Sequence, residues 1–228
     1  MTEPGSAGAL GVVLVDDAAL FRDLLAEVLR LQAGADVTAV SDPAGLLETV
    51  RTERPDVCII DIRLPPTFTV EGLLAARDIR RQHPDIGLLL LSQHLEVHHL
   101  ARLLQPAGAT GGGFGYLLKE RVTGIAGFLD AVKRVAAGEI VMDPLVVGEL
   151  LKRRRNVELL GRLSVREREV LALVAEGLSN QSICGRLRLS GKTLETHIGA
   201  IFNRLDLPAE IDGNRRVLAV LTYLRGRD

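Results

Sequence analysis

Five times in the first 140 residues a short apolar run is followed by apolar residues recurring at helical spacing, and few folds accept that rhythm. Gly11-Val12-Val13-Leu14-Val15 reads as a buried strand, after which Leu20, Leu24, Leu25 and Val28 mark a helix. Asp36 to Val40 is a weaker second strand, and Asp42-Pro43 starts a helix that ends before Pro55. Val57-Cys58-Ile59-Ile60 is a third strand, followed by a helix from Gly72 to Gln82. Ile86 to Leu91 is a fourth, with a helix around Glu96 to Leu104 after it. Gly115-Tyr116-Leu117-Leu118 is the fifth, and Ile125, Phe128, Leu129, Val132 and Val135 form a last amphipathic helix stopped at Gly138. Strands apolar throughout and separated by helices predict a five-stranded, doubly wound parallel sheet covered on both faces.

The rhythm then stops. Asp143-Pro144 to Arg155 reads as a linker helix ending in the basic run Lys152-Arg153-Arg154-Arg155, which as sequence is a solvated connector. From Leu163 onward there are only four short helical patterns, so the rear of the chain is all-α. Charge divides the 228 residues in the same way. Met1 to Glu149 carries 13 basic and 20 acidic residues, net −7, whereas Leu150 to Asp228 carries 15 and 9, net +6. An overall charge of −1 therefore hides a basic rear half suited to a polyanion.

Two cysteines far apart, Cys58 and Cys184, exclude a disulfide scaffold and a clustered-thiolate zinc site. Met1 to Gly8 lacks the basic flank and apolar run of a secretion signal, and no apolar stretch approaches the roughly 18–20 residues that span a bilayer. A soluble, cytoplasmic protein with no membrane partner is expected.

In an open parallel sheet ligands bind beyond the carboxyl ends of the strands. Strand one ends in Asp16-Asp17, strand three in Asp61, strand four in Ser92 and strand five in Lys119. Singly, each has an ordinary explanation: an aspartate after a strand caps a helix, and a serine or lysine decorates a loop. Together they place three carboxylates, a hydroxyl and an amine on one rim. Clustered carboxylates repel unless a cation joins them, and hard oxygen ligands suit Mg²⁺. With a divalent ion present, one carboxylate can attack a phosphoryl group while cation and lysine neutralise the developing charge.

Val13-Leu14-Val15-Asp16-Asp17, Ile59-Ile60-Asp61-Ile62-Arg63-Leu64-Pro65-Pro66, Leu90-Leu91-Ser92 and Gly115-Tyr116-Leu117-Leu118-Lys119 resemble the receiver domain of two-component response regulators. The 44 positions from Asp17 to Asp61 match that family's pattern. The resemblance implies a flavodoxin-like fold and phosphorylation of Asp61 by a partner sensor histidine kinase. It also implies Mg²⁺ held by Asp16, Asp17, Asp61 and the backbone carbonyl of Arg63. Ser92 would bond the phosphoryl group, Lys119 would pair with it, and Ser92 and Tyr116 would act as the switch, although a strand tyrosine also serves as simple core packing. One departure is that 27 positions separate Ser92 from Lys119, several more than in the family. The surplus falls at the glycine patch Gly108 to Gly113, expected beside the face by which receivers signal.

In the rear half, Leu163-Ser164 before Arg166-Glu167-Arg168-Glu169-Val170-Leu171 reads as a helix start with a capping box, Ser164 paired with Glu167. That helix ends at Gly177; Asn180 to Leu187 is a second, and Ser190 caps a third running to about Leu205. Two helices joined by a tight turn, the second longer, have helix-turn-helix spacing. On the third, Leu194, Ile198, Ile201 and Leu205 make an inward apolar stripe. Lys192, Glu195, Thr196, Gly199 and Asn203 lie on another face, open to DNA or merely to solvent. Lys192 suits a phosphate, Glu195 a cytosine amine, and Thr196 a thymine methyl or another base edge. His197 borders the apolar stripe and reads as a packed histidine.

Leu163 to Leu171, Gly177-Leu178-Ser179-Asn180 and Ser190-Gly191-Lys192-Thr193-Leu194-Glu195-Thr196-His197-Ile198 resemble the LuxR-type helix-turn-helix. With the receiver, nearly all of residues 9–225 is similar to response regulators of the NarL/FixJ class. Gly191 replaces an acidic residue common there, and Glu195 a frequent basic one. The resemblance implies DNA contacts at Ser179, Asn180, Lys192, Thr193, Glu195, Thr196, Gly199 and Asn203. It also implies homodimerisation on activation or on DNA through a final helix at about Asn214 to Leu224.

The expected organisation is a receiver over 9–140, a partly helical linker over 141–162 and a DNA-binding domain over 163–228. The expected function is a DNA-binding transcriptional regulator controlled by phosphorylation of Asp61, not an enzyme. The alternative is a phosphorylation-independent DNA-binding regulator that uses the receiver as a dimerisation scaffold. A Mg²⁺-dependent phosphatase with an aspartyl nucleophile would want a second aspartate two residues on, where Arg63 stands.

Overall fold

The computed structural model describes residues 8–93, 111–207 and 214–226. It contains two compact units that divide between Val147 and Gly148. The helix expected at Glu96 to Leu104 and the start of the glycine patch lie outside the described residues.

In the front unit β1 (Gly11–Val15), β2 (Asp36–Val40), β3 (Val57–Asp61), β4 (Gly87–Ser92), β5 (Phe114–Leu118) and β6 (Ile140–Met142) form one parallel sheet in the order β2-β1-β3-β4-β5-β6. The described helices among them are α1 (Ala19–Ala33), α2 (Pro43–Glu53), α3 (Glu71–Gln82) and α4 (Ile125–Ala136). Val12, Leu14, Ile59, Leu89 and Leu91 bury one face of the sheet with Leu25 and Leu29 of α1 and Phe128, Val132 and Val135 of α4. Alternate strand residues, among them Val13, Cys58, Ile60, Leu88 and Leu90, are buried on the other face, where α2 packs on β1 and α3 on β3 and β4. Both faces are apolar because both carry helices.

The sheet has six strands rather than the expected five. Ile140-Val141-Met142 continues the ladder, Gly115 opposite Val141 and Tyr116 opposite Met142, and Asp143 N–H donates to the Tyr116 carbonyl at 2.9 Å. A strand of three residues, set between Gly138, at φ +89°, and Asp143-Pro144, is too short for alternation to reveal, so Val141 and Met142 read as the start of a linker. The expected receiver boundary at 140 thus falls on the first residue of a strand.

The described end of the glycine patch leads straight into β5, as its place in the sequence requires. Gly112 and Gly113 are at the amino end of β5, opposite the strand ends that carry the acidic residues. A Cβ on Gly113 would strike the Val135 and Glu139 carbonyls, and one on Gly112 those of Asp85 and Ile86. The missing side chains let α4 close onto the sheet edge. Arg80 of α3 ties this corner, donating to the carbonyls of Gly112 and Gly113 at 2.8 and 2.7 Å and of Pro84 at 3.0 Å.

The linker helix α5 (Pro144–Gly161) runs past the basic run at which it was expected to end, because Leu159 and Leu160 lie beyond and join the rear core. That core unites α6 (Val165–Ala175), α7 (Asn180–Leu187), α8 (Gly191–Arg204) and α9 (Arg215–Gly226). The capping box of α6 is complete: Glu167 N–H donates to Ser164 Oγ at 3.3 Å and Ser164 N–H to the Glu167 carboxylate at 2.8 Å. Burial alone would raise Glu167, but these bonds and the nearby Arg204 and His197 hold it below the usual carboxylate range. Such a cap stabilises a helix by about 1 kcal/mol. Among the described residues no helix is long and apolar enough to cross a membrane.

Candidate functional site

The β1, β3, β4 and β5 ends bring the front-unit candidates together. Asp16 is fully buried, Asp61 is 5% exposed and Ser92 2% exposed, while Asp17 is open to solvent. One carboxylate oxygen from each of Asp16, Asp17 and Asp61 lies within 4.8 Å of the other two. Lys119, just beyond β5, closes the group: its Nζ is 2.7 Å from Asp16 Oδ2 and 3.1 Å from Asp61 Oδ2. Ser92 ends β4 opposite Leu118, the residue before Lys119.

Local chemistry explains the arrangement. Asp17 is not a helix cap; α1 starts from Ala18 without a side-chain cap, and Asp16 Oδ1 accepts from Ala18 N–H at 3.0 Å. Arg22 Nη1 donates to the Asp16 carbonyl at 2.9 Å, pinning the first turn of α1 to the end of β1. A Cβ on Gly72 would collide with the Asp61 carbonyl, so glycine there lets α3 start against β3. Arg63, two residues beyond Asp61, has an exposed side chain. Tyr116 is completely enclosed, opposite Leu90 and Met142 in the sheet.

The electrostatics are those of a crowded acidic site. Burial pushes the Asp61 carboxyl up to about 6; Lys119 works against that rise, and Asp16 and then Asp17 add to it. Burial would lower the Lys119 ammonium, but its hydrogen bond to Asp16 and the charges of Asp61 and Asp16 leave it above its ordinary value. Three carboxylates facing one ammonium leave an excess of negative charge and spare oxygen ligands. That donor set fits a hard divalent cation.

In the rear unit the candidates line an open surface. Leu194, Ile201 and Leu205 are buried as the stripe requires, Ile198 packs beside them, and His197 is half-buried. Lys192, Thr193, Glu195, Thr196, Gly199 and Asn203 are all exposed, as are Ser179 and Asn180. Ser179 caps α7, accepting from Ser182 N–H at 3.2 Å, and Ser190 caps α8, accepting from Thr193 N–H at 3.1 Å. The Thr196 hydroxyl donates to the Lys192 carbonyl at 3.0 Å, which leaves its methyl as the free part of the side chain.

Family profiles match both units: the response regulator receiver domain over residues 12–121, and bacterial regulatory proteins of the LuxR family over 162–212. DegU of Brevibacillus brevis, a transcriptional regulatory protein, is 30% identical over 245 aligned positions covering 99% of this chain and 97% of that one. This decides the family. The chain is a transcriptional response regulator of the NarL/FixJ class. VraR of Staphylococcus aureus, a response regulator, is 29% identical over 200 positions, 86% of this chain and 90% of that one. The fold resembles that of the response regulator RcsB of Salmonella typhimurium, with TM-score 0.64 and 22% identity over 93% of this chain and 98% of that one.

Several residues of the regulator's two sites escaped the sequence reading. The Phe21 ring lies beneath Lys119, its centroid 4.9 Å from Nζ. Two arginines of the first turn of α9 grip the helix-turn-helix. Arg216 donates to Asn180 Oδ1 at 2.7 Å and the Leu178 carbonyl at 2.8 Å, and the Arg215 guanidinium stacks on Phe202, 5.0 Å from its centroid. With Asn180, Glu195, Gly199 and Asn214 they border an open cleft of about 470 Å³. Phe21 and Phe202 sit within helices like any core aromatic, and nothing in the local pattern sets Arg215-Arg216 apart from other arginines. Only tertiary contact distinguishes them.

Proposed function

We propose that phosphorylation of Asp61 by a sensor histidine kinase in the cytoplasm controls how this regulator binds double-stranded DNA, as a homodimer, through α8. The observation that carries the proposal is Lys119 held between Asp16 and Asp61 at the rim of the sheet, inside a triad of carboxylates. In this reading residues 9–140 are the phosphoacceptor domain, extended by β6; 141–162 are the connector and 163–228 bind DNA. Asp16, Asp17, Asp61 and the Arg63 carbonyl would hold Mg²⁺, which when bound offsets the negative charge that accumulates as the phosphoryl group arrives.

The chain's own residues do the rest. An ionised Asp61 oxygen forms the new bond to phosphorus as the donor's bond to phosphorus breaks and the donor leaves with that electron pair. Lys119 pairs with the transferred group and Ser92 hydrogen-bonds it. Tyr116 follows Ser92 as the switch, shifting the receiver between two populations. In the rear unit Lys192 and the N-terminal amides of α8 meet phosphates, Ser179, Asn180, Thr193 and Asn203 position the helix, and Glu195 and Thr196 read bases across the small Gly199.

The placement of Gly112 and Gly113 away from the pocket supports phosphorylation control over the scaffold alternative, since the described part of the patch leaves the acidic rim intact. Incubation with acetyl phosphate and Mg²⁺ should add one phosphoryl group by intact mass, lost in Asp61→Asn and weakened in Asp17→Ala. Undiminished labelling of Asp61→Asn would place the acceptor elsewhere.

A further inference from the structure

Lys119 has a third neighbour besides its two carboxylates. The ring of Phe21, in the first turn of α1, lies with its centroid 4.9 Å from the ammonium nitrogen. An ammonium over an aromatic face at this distance is held by the ring quadrupole, more strongly where water is scarce. The lysine side chain is 11% exposed. Phe21 is half-buried and packs against the core beneath the sheet, so its ring is fixed by the fold rather than by the pocket. The adjacent Arg22 ties the same turn to the Asp16 carbonyl.

The reaction disturbs both carboxylates that now hold Lys119. In the proposed reaction Asp61 would become an acyl phosphate, and Asp16 would serve to hold the divalent cation. The Phe21 face takes part in neither event. A lysine side chain with four rotatable carbons swings away readily when its anionic partners are re-engaged. From these contacts we infer that Phe21 is a positioning residue for phosphorylation: its ring keeps the Lys119 ammonium over the acceptor while both carboxylates change partners. The inference rests on the reading of Asp61 as phosphoacceptor and adds a component from outside the acidic pocket.

The test is the initial rate of labelling of the full chain by acetyl phosphate with Mg²⁺, followed by intact mass. Phe21→Leu keeps apolar bulk against the core and removes the π face; Phe21→Tyr keeps both. Phe21→Leu should slow labelling about five- to tenfold, the scale of a partly desolvated cation–π contact, while Phe21→Tyr stays near the native rate. In a Lys119→Met background Phe21→Leu should cause no further slowing, because the ring acts through the ammonium. Equal slowing with and without Lys119, or by Tyr as by Leu, would mean that Phe21 serves packing alone and overturns the inference. Labelling retained by Asp61→Asn would overturn the acceptor reading and this role with it. Labelling lost in Asp61→Asn but unchanged in Phe21→Leu would overturn the Phe21 role alone.

Discussion

The acidic pocket and the outer face of α8 are built on opposite plans. The pocket draws Asp16, Asp17, Asp61, Ser92 and Lys119 from four strand ends spread over about a hundred residues, and it buries most of them. The face of α8 takes Lys192 to Asn203 from one continuous helix and leaves every candidate in water. Buried groups interact through a low effective dielectric, so each depends on its neighbours and removing one perturbs all. Exposed groups are screened and nearly independent, and they acquire a fixed partner only from a ligand. The pocket is therefore preorganised by folding, whereas the helix face is completed by what it binds.

The contrast can be broken most forcefully at Asp61. Its folded pKa of about 6 lies above the ordinary carboxylate value of 3.8, so the folded unit favours the protonated form more than the unfolded chain does. The ionised carboxylate then weakens the fold at pH above about 6, and that penalty fades as pH falls towards 4. Without divalent cations, Asp61→Asn should stabilise the receiver unit at pH 7.5 by about 1–3 kcal/mol, with the gain largely gone at pH 4.5. Denaturant titration at both pH values measures this; a variant no more stable at pH 7.5 would mean Lys119 already compensates the buried charge.

For the helix face the expected effects fall on binding rather than on folding, and they are separable. If Glu195 faces DNA as proposed, its carboxylate repels phosphates and helps only where a cytosine amine meets it, so Glu195→Ala should bind random DNA as well or better. It should also lose about 1–3 kcal/mol of discrimination at one base pair. Selection from random duplexes with both proteins checks this, and identical preferred sequences would make Glu195 a bystander. Smaller still, Lys192→Ala should weaken binding to all sequences alike and flatten the salt dependence by roughly one unit. A slope unchanged by the substitution would remove Lys192 from the phosphate contacts.

The same contrast explains what could be read from the sequence. Asp16, Asp61, Ser92 and Lys119 were legible because parallel strands announce themselves as apolar runs and their ends converge by topology. The α8 stripe was legible because Leu194, Ile201 and Leu205 keep helical spacing. β6 was not, since three residues give alternation no room and its stability comes from pairing with β5. The path of α5 through the basic run was hidden because Leu159 and Leu160 gain their value only from the rear core. Phe21 beneath Lys119 and Arg216 on Asn180 join residues 98 and 36 positions apart, and pattern within a window holds no trace of such pairs. The surplus at the glycine patch is visible in the sequence, but that Gly112 and Gly113 let α4 approach the sheet is not, because the carbonyls a Cβ would strike come from distant residues.

The central claim is that chemistry in the preorganised pocket governs binding at the unfinished face. It is tested most directly by the affinity of the full chain for its selected duplex, measured by fluorescence anisotropy at fixed salt before and after acetyl phosphate with Mg²⁺. The account predicts that phosphorylated native protein binds at least several-fold more tightly, a shift within the usual range of allosteric coupling, and that Asp61→Asn gives one affinity under both conditions. Equal affinity of fully labelled and unlabelled native protein would contradict it, leaving a DNA-binding protein whose receiver does not regulate that binding.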